Sequence, residues 1–426
     1  MPKSKEAAGL ALRRVAAERL RGVLNGASFS PLTAAELEDP RDRALANRLV
    51  TAALRYHGPI NRLIGGLMPR GMPRKAPAFE PMLRLSLAQL LFLPELGDHS
   101  AIFLAAQAMR ADPATQHLVK LMNAVLREAQ RRREGVELTA QTLFPPALLD
   151  IWRRAYGSDA VEAFGRALRE GPALDLTLKD LDPGLGASRV LADTVRLLER
   201  DRPVDQLAGY AQGKFWVQDA AAAIPARLLL ARRGARVLDL CAAPGGKTAQ
   251  LVKAGYAVTA LDRDATRMAR LEQNLERLGY RAELVTADAL DYAPPMPFDG
   301  VLLDAPCSAT GTFRRHPEVV WHRDPAGIAA RADLQRRLIA RAGACLNAGG
   351  VLVYCVCSLE PEEGERQADW AAAEGFEPWP ITPEELDGWA TPVTKDGRVR
   401  THPGQTAPGE KGGTLDGFFV ARFRRR

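Results

Sequence analysis

The chain has 426 residues, 58 Lys+Arg against 51 Asp+Glu for a formal net charge of +7, with 46% hydrophobic and 26% charged residues. That composition excludes a disordered chain, and at roughly 100 to 200 residues per domain it leaves room for two to four domains, each able to bury a core. Residues 1–150 hold 21 Lys+Arg and 14 Asp+Glu while 151–426 hold 37 of each, so the whole excess lies in the first third, where an anionic partner, nucleic acid first, is expected.

After Lys3 and Lys5, the charges Glu6, Arg13, Arg14, Glu18 and Arg19 leave no apolar core for a signal peptide. The apolar run LSLAQLLFL (85–93) stops at Pro94, well short of a membrane span. Five cysteines, Cys241, Cys307, Cys345, Cys355 and Cys357, are odd in number and confined to the second half, which fits a disulfide framework poorly. A reducing cytoplasm, no membrane and a monomeric state are the expectations.

Up to about residue 135 the pattern is helical, with Leu45, Leu49, Ala52 and Ala53 at three- and four-residue spacing. Breakers at Gly58-Pro59, Gly71-Met72-Pro73, Pro94 and Asp112-Pro113 predict five to seven helices without strands, an all-α domain over 1–140. Residues 141–230, with turns at Pro145-Pro146, Gly171-Pro172 and Asp182-Pro183, predict a small connecting domain of helical pieces and at least one short strand, ALDLTLKDL. From 231 to 426 short Val/Leu-rich runs alternate with helical segments: RVLDL (236–240), AVTALD (257–262), AELVTAD (282–288), DGVLLDAP (299–306) and GGVLVYCVCS (349–358). Such runs suit strands buried on both faces, and their alternation predicts a doubly wound, Rossmann-like α/β domain with ligands at the carboxyl ends of the strands. The segment GFFVARFRRR is expected to add a closing antiparallel strand, with Arg424–Arg426 as a solvated tail.

The first strand runs into Cys241-Ala242-Ala243-Pro244-Gly245-Gly246-Lys247-Thr248, small residues where a backbone must approach a ligand closely. Asp262 ends the second strand, near the spacing at which an acid binds a ribose diol, and Asp288 ends the third. Neither the GxGxxG spacing of a dinucleotide site nor the GxxxxGK[ST] spacing of a phosphate loop is present. A nucleoside without pyrophosphate fits, and carboxylates suit a cation, so S-adenosyl-L-methionine is the expected cosubstrate.

Asp304-Ala305-Pro306-Cys307-Ser308 follows the fourth strand and Tyr354-Cys355-Val356-Cys357-Ser358 ends the fifth. No metal is expected, because a Cys-x-Cys pair without further ligands at zinc spacing is a poor site, and Cys355 and Cys357 are expected to face opposite sides. Cys345 and Cys355 read as small buried hydrophobes. Cys307 and Cys357, at strand-to-loop junctions, suit methylation of a pyrimidine carbon. C5 of cytosine is too weak a nucleophile until a thiolate adds at C6, so a covalent thiol is required. Asp304 would assist at N3 or N4, and a second group such as Cys307 would serve the elimination. His316, Trp321 and His322 suit either stacking and proton shuttling or loop packing. Seven arginines from Arg314 to Arg341 suit either an RNA path or a solvated helix face.

At RVLDLCAAPGGKT, Asp262, TADAL, LLDAPCSATGTFRRHPEVVW and YCVCSLEPEE, preceded by Gln218-Asp219, the sequence resembles the RsmB-type 16S rRNA (cytosine-C5)-methyltransferases of the Sun (RsmB/NOP) family. The resemblance implies Cys357 as nucleophile, Cys307 in product release, and Cys241, Ala242, Ala243, Pro244, Gly245, Gly246, Lys247, Asp262, Asp288 and Asp304 around the cosubstrate. The passages RDRALANRLVTAALRYHG, LRLSLAQLLFL and LMNAVLREAQR are similar to the RNA-binding NusB-like domain, implying ribosomal RNA as partner. Transfer-RNA methylation by the same chemistry and a noncatalytic NusB-like RNA-binding or antitermination protein are the alternatives. Two positions depart from the family: Cys355-Val356-Cys357-Ser358 replaces Ser-Thr-Cys-Ser, and Glu362-Glu363-Gly364 replaces Glu-Glu-Asn.

Overall fold

A computed structural model of the protein describes residues 9–180, 182–198, 203–409 and 412–426; Lys3, Lys5 and Glu6 lie outside them. The chain forms two compact units, one of the residues up to Asp150 together with His316–His322, the other of Ile151–Arg315 and Arg323–Arg426.

In the first unit, the described residues up to 135 form six α-helices and no strand: Leu10–Leu24, Pro40–Arg55, His57–Leu67, Phe79–Phe92, Asp98–Ala111 and Val119–Arg131. Asp39 caps the second by accepting from the Arg41 and Asp42 amides, with Pro40 at the first helical position where its missing N–H costs nothing. The Gly58-Pro59 break falls inside the opening turn of the third helix, so the interruption shrinks to Tyr56. Helix Phe79–Phe92 is buried almost all round, with apolar residues on every side of it. Its polar Gln89 is satisfied by Arg13, whose Nη2 donates to Gln89 Oε1 at 2.6 Å. Into this unit pack the residues His316–His322. Phe29 N donates to Glu318 Oε1 at 3.1 Å, Trp321 lies 4.7 Å from the His57 ring, and a Cβ on Gly58 would stand 3.0 Å from Trp321. Burial, then Arg84 and His322, pushes His57 down to about 3, so it stays neutral. Packing is therefore what Trp321 does here.

The second unit carries two sheets. Strands β1 (Asp175–Leu178), β2 (Ala187–Leu191), β3 (Thr194–Leu197) and β4 (Phe215–Val217) form a small antiparallel sheet in the order β2-β3-β1-β4. The expected helical pieces are there as Pro146–Tyr156 and Ser158–Glu170, and the strand expected at ALDLTLKDL is β1; the other three were not singled out, because strands of three to five residues are too short for their alternation to stand out and neighbours across the ladder supply their burial. The larger sheet contains β5 (Arg236–Leu240), β6 (Ala257–Asp262), β7 (Glu283–Thr286), β8 (Phe298–Asp304) and β9 (Leu346–Val356), mutually parallel in the order β9-β8-β5-β6-β7. Beyond β9 come β10 (Phe376–Pro378), β11 (Val399–Thr401) and β12 (Phe418–Arg425), with β12 antiparallel to β9. Arg424 and Arg425 thus belong to a strand where a tail was expected, and the Arg424 guanidinium sits 4.1 Å over the Trp379 ring, while Arg424 and Arg426 are exposed as expected.

Alternate residues of these strands fill opposite faces. Val237, Leu302, Val353 and Val420 join one core, and Leu238, Leu303, Leu352 and Phe419 the other. The strand order reverses at β5, flanked by β6 and β8, which opens a crevice at the carboxyl ends. Among the described residues no helix is long and apolar enough to cross a membrane.

Candidate active site

The crevice is lined first by the turn after β5. Cys241 and Gly245 both adopt left-handed backbone (φ 63° and 99°), and a Cβ on Gly245 would come within 2.7 Å of Leu271. The helix Gly246–Lys253 then starts, and its first residues Gly246 and Lys247 face the crevice. Asp239, inside β5, is fully buried and accepts from Thr248 Oγ1 at 2.6 Å, tying strand to helix. Burial pushes its carboxyl up to about 7, the nearby Asp304 and Asp262 adding to the shift. Asp262, at the end of β6, accepts from the amides of Ala243 (3.2 Å) and Asp264 (3.1 Å); Asp288, just past β7, accepts from Leu290 N at 2.9 Å. Asp304 ends β8. Of the ten residues expected around the cosubstrate, Ala242, Pro244, Gly245, Gly246, Lys247 and Asp304 line a cavity of about 520 Å³ that also contains Cys357; Cys241, Ala243, Asp262 and Asp288 do not line it.

Lys247 donates to Asp304 Oδ2 at 2.8 Å and lies 5.0 Å over the Phe418 ring. Burial would drive off its proton, but the Asp304 carboxylate outweighs it and holds the ammonium above its ordinary range. The lysine therefore fixes Asp304 and neutralises part of the carboxylate field.

Three thiols converge on this place. Cys357 Sγ stands 3.5 Å from Cys307 Sγ, and Cys355 Sγ stands 3.5 Å from Asp304 Oδ1. Cys355 and Cys357 pack into the same core, which corrects the expected opposition: residues two apart on a strand share a face. What separates them is depth, since Cys355 is fully buried and Cys357 lines the cavity. The Cys307 thiol is raised well above its ordinary value by the hydrogen bond with Cys357 and by burial, so it keeps its proton. Burial likewise pushes Cys241 up to about 12, and Cys345 is buried away from the cavity.

Beneath the thiols lies a buried polar network that sequence reasoning missed. Glu360 Oε2 accepts from Ser308 Oγ (2.7 Å) and Ser358 Oγ (2.6 Å), the residues after each thiol, while its Oε1 accepts from Trp152 Nε1 at 3.0 Å. Glu363 accepts from Ser308 N at 2.9 Å and from Gln335 Nε2 at 3.1 Å. The two cysteine loops are thus held in register by shared acceptors. Gly364, where the family carries Asn, lies under Arg400: a Cβ there would meet Arg400 Nη2 at 2.2 Å, and that arginine donates to Ser358 O at 2.6 Å.

A second cluster lies on the other flank. Gln218 satisfies Thr177, Trp216 and Gln250, joining the small sheet to the helix Gly246–Lys253. Asp219 Oδ2 accepts from Arg314 Nη2 at 2.6 Å, the same nitrogen reaches Asp416 Oδ1 at 2.7 Å, and Arg315 pairs with Asp416. Although burial opposes it, Arg314 holds Asp219 below its ordinary range. Of the seven arginines from Arg314 to Arg341, Arg314 is therefore internal structure. The signal available in the sequence was only that a buried Asp beside Gln218 needs a cation; nothing local said which.

Residues 226–424 match the family model "16S rRNA methyltransferase RsmB/F" and residues 2–131 match that of the NusB family. The ribosomal RNA small subunit methyltransferase B of Xanthomonas campestris is 36% identical over 97% of both chains, and that of Klebsiella pneumoniae (strain 342) is 34% identical over 97% of this chain and 98% of its own. Among solved structures, PH0851 superposes with a TM-score of 0.77 over 99% of this chain and all of its own at 22% identity, and so shows the fold. A methyltransferase homologue from Pyrococcus horikoshii has a TM-score of 0.56 at 25% identity, covering 66% of this chain and 96% of that one.

Proposed function

Because the chain belongs to the 16S rRNA methyltransferase RsmB/F family, we propose that it methylates C5 of a cytosine in small-subunit ribosomal RNA through a covalent bond from Cys357 to C6. The observation that carries this reading is that Cys357 and Asp304 line one cavity, with Cys307 Sγ standing 3.5 Å from Cys357 Sγ. N-methylation of an exocyclic amine would use neither thiol.

The donor set fits S-adenosyl-L-methionine: Gly245 leaves a tight turn that a Cβ would crowd, and Asp262, Asp288 and Asp304 offer carboxylates to a nucleoside with a cationic sulfur. The residues that would hold it are Cys241 to Lys247 with these three acids, and bound there it supplies an electrophilic methyl group. Cys357 adds to C6 as a thiolate, converting C5 into an enamine-like nucleophile. Asp304 enters this step as the acid, giving its proton to N3 as Cys357 adds and so neutralising the charge displaced onto the ring, and Lys247 holds the carboxylate that results. After transfer a water takes the C5 proton and the C6–S bond breaks; Cys307, which keeps its proton 3.5 Å from Cys357, donates it to the departing sulfur.

The test is methyl transfer from labelled S-adenosylmethionine to ribosomal and transfer RNA, with bisulfite sequencing of the product. Wild type is expected to protect one cytosine of small-subunit RNA. Cys357→Ser is expected to lose at least a thousand-fold in turnover, as removal of a covalent nucleophile does. Cys307→Ser is expected to accumulate a protein–RNA adduct stable to denaturing electrophoresis. Full turnover by Cys357→Ser would overturn the nucleophile assignment, and label confined to transfer RNA would overturn the substrate.

A further inference from the structure

Three cations line the cavity, Lys247, Arg277 and Arg315, and they differ in what they leave for a ligand. Lys247 is committed to Asp304. Arg277 also has a buried Nε without a partner, but it stacks 4.2 Å over the Tyr210 ring and spends Nη1 on the Tyr210 and Phe215 carbonyls, which turns it to the small sheet. Arg315 is tethered through Nη2 to Asp416, its buried Nε has no partner, and its side chain is 35% exposed where that of the adjacent Arg314 is 0%. Successive arginines thus divide the work, one locked into the core and the other reaching the cavity.

Backbone bonds set that position. Gly311 N donates to Cys357 O at 3.0 Å, Gly417 N donates to Gly311 O at 2.9 Å, and Arg315 N closes the turn on Thr312 O at 2.9 Å. The turn that carries Arg315 is therefore bolted to the residue that carries the thiol, and the loop with Asp416 to that turn. Arg315 and Cys357 line the same cavity.

The chemistry asks for a cation there. In an anti pyrimidine nucleotide the C6 edge faces the nucleotide's own 5′-phosphate. A thiolate adds to C6 over the face of the ring, within a few bond lengths of that phosphate, and two anions near each other in a partly desolvated cavity repel. We propose that Arg315 binds the 5′-phosphate of the nucleotide whose base is methylated, shielding it from the Cys357 thiolate. This rests on the reading that Cys357 attacks C6, and it makes Asp416 the positioning residue that aims the guanidinium while leaving Nε and Nη1 for the phosphate.

The test uses the full chain with protein-free small-subunit ribosomal RNA, measuring affinity from low to moderate salt beside single-turnover methylation. Arg315→Gln is expected to weaken binding about ten-fold or more at low salt, the worth of one charge-assisted bond. It should also flatten the plot of log affinity against log salt by about 0.7 to 1. Arg315→Lys should restore the slope, and Asp416→Asn, which keeps the charge of Arg315 but removes the group that aims it, should flatten the slope by less than Arg315→Gln does. An unchanged slope in Arg315→Gln, with only turnover reduced, would overturn the phosphate assignment. If instead Cys307→Ser yields no adduct with the wild-type Arg315 present, the covalent reading fails, and the slope still decides whether Arg315 meets a phosphate.

Discussion

Arg314 has no exposed surface, and its charge is compensated by Asp219 and Asp416, both buried. Replacing one member of such a cluster strands the others without water. Arg314→Met is expected to cost about 3 to 5 kcal/mol by urea denaturation, against at most ~1 kcal/mol for Arg48→Met at the exposed pair with Glu95. Asp239 makes the opposite point about pH. Its carboxyl is raised to about 7, so between the ordinary carboxylate range and neutrality the folded chain holds a proton that the unfolded chain has released. Stability contributed by that proton is fully present at low pH and is lost as pH rises from the ordinary carboxylate range to about 7, at up to ~1.4 kcal/mol per pH unit. Asp239→Asn should flatten the difference in denaturation midpoint between pH 5 and pH 7 relative to wild type, while an unchanged difference would mean that Asp239 is ionised throughout.

At the level of elements, the catalytic geometry depends on short loops held by strands that do no chemistry. The turn Thr310–Thr312 passes so close to Gly417 that a Cβ on Gly311 would lie 2.1 Å from its carbonyl oxygen, and that approach is backbone on backbone, which cannot swing away. Gly311→Ala is expected to destabilise by about 3 kcal/mol or more and to slow methyl transfer, because the same turn bonds to Cys357 O. A thermal melt within a degree of wild type would show that the turn yields. Helix caps are milder: Asp264 accepts from Arg267 N at 3.0 Å, and Asp264→Ala should cost about 1 kcal/mol with little change in activity.

For the whole molecule, the basic excess belongs to the part of the chain that matches the NusB family. Truncating at residue 135 would be an unclean test, since Val319, Val320 and Trp321 pack within the first unit and would lose their partners. Neutralising exposed charges avoids this. Changing Arg70, Arg74 and Lys75, at the surface of that unit, to Gln is expected to weaken RNA binding and to reduce its salt dependence by about 0.7 to 0.9 for each phosphate no longer neutralised. Cosubstrate binding by calorimetry should not move. If both fall together, the charge serves folding and not RNA.

The division between sequence and structure follows the range of the interactions. The alternation of β5 to β9 with helices, the turn from Cys241 to Lys247, the acids at strand ends and the thiols after β8 and near the end of β9 were legible, because a strand's period and a tight turn's small residues are set by near neighbours in the chain. The small sheet beyond β1 was not, since its strands of three to five residues carry too few side chains to declare a period and are stabilised across the ladder. Nor was the partner of Asp219: Arg314 and Asp416 lie about 95 and 197 residues away, and only packing brings three buried charges to one point. The choice between Cys355 and Cys357 shows both halves. Spacing puts the two on one face, whereas depth, decided by what packs over each sulfur, leaves Cys355 sealed against Asp304 and Cys357 open to the cavity. By itself the sequence determined which chemical groups this protein brings to its crevice; the tertiary structure decided which of them face one another, because burial and ion pairing are properties of neighbours that the chain does not place in order.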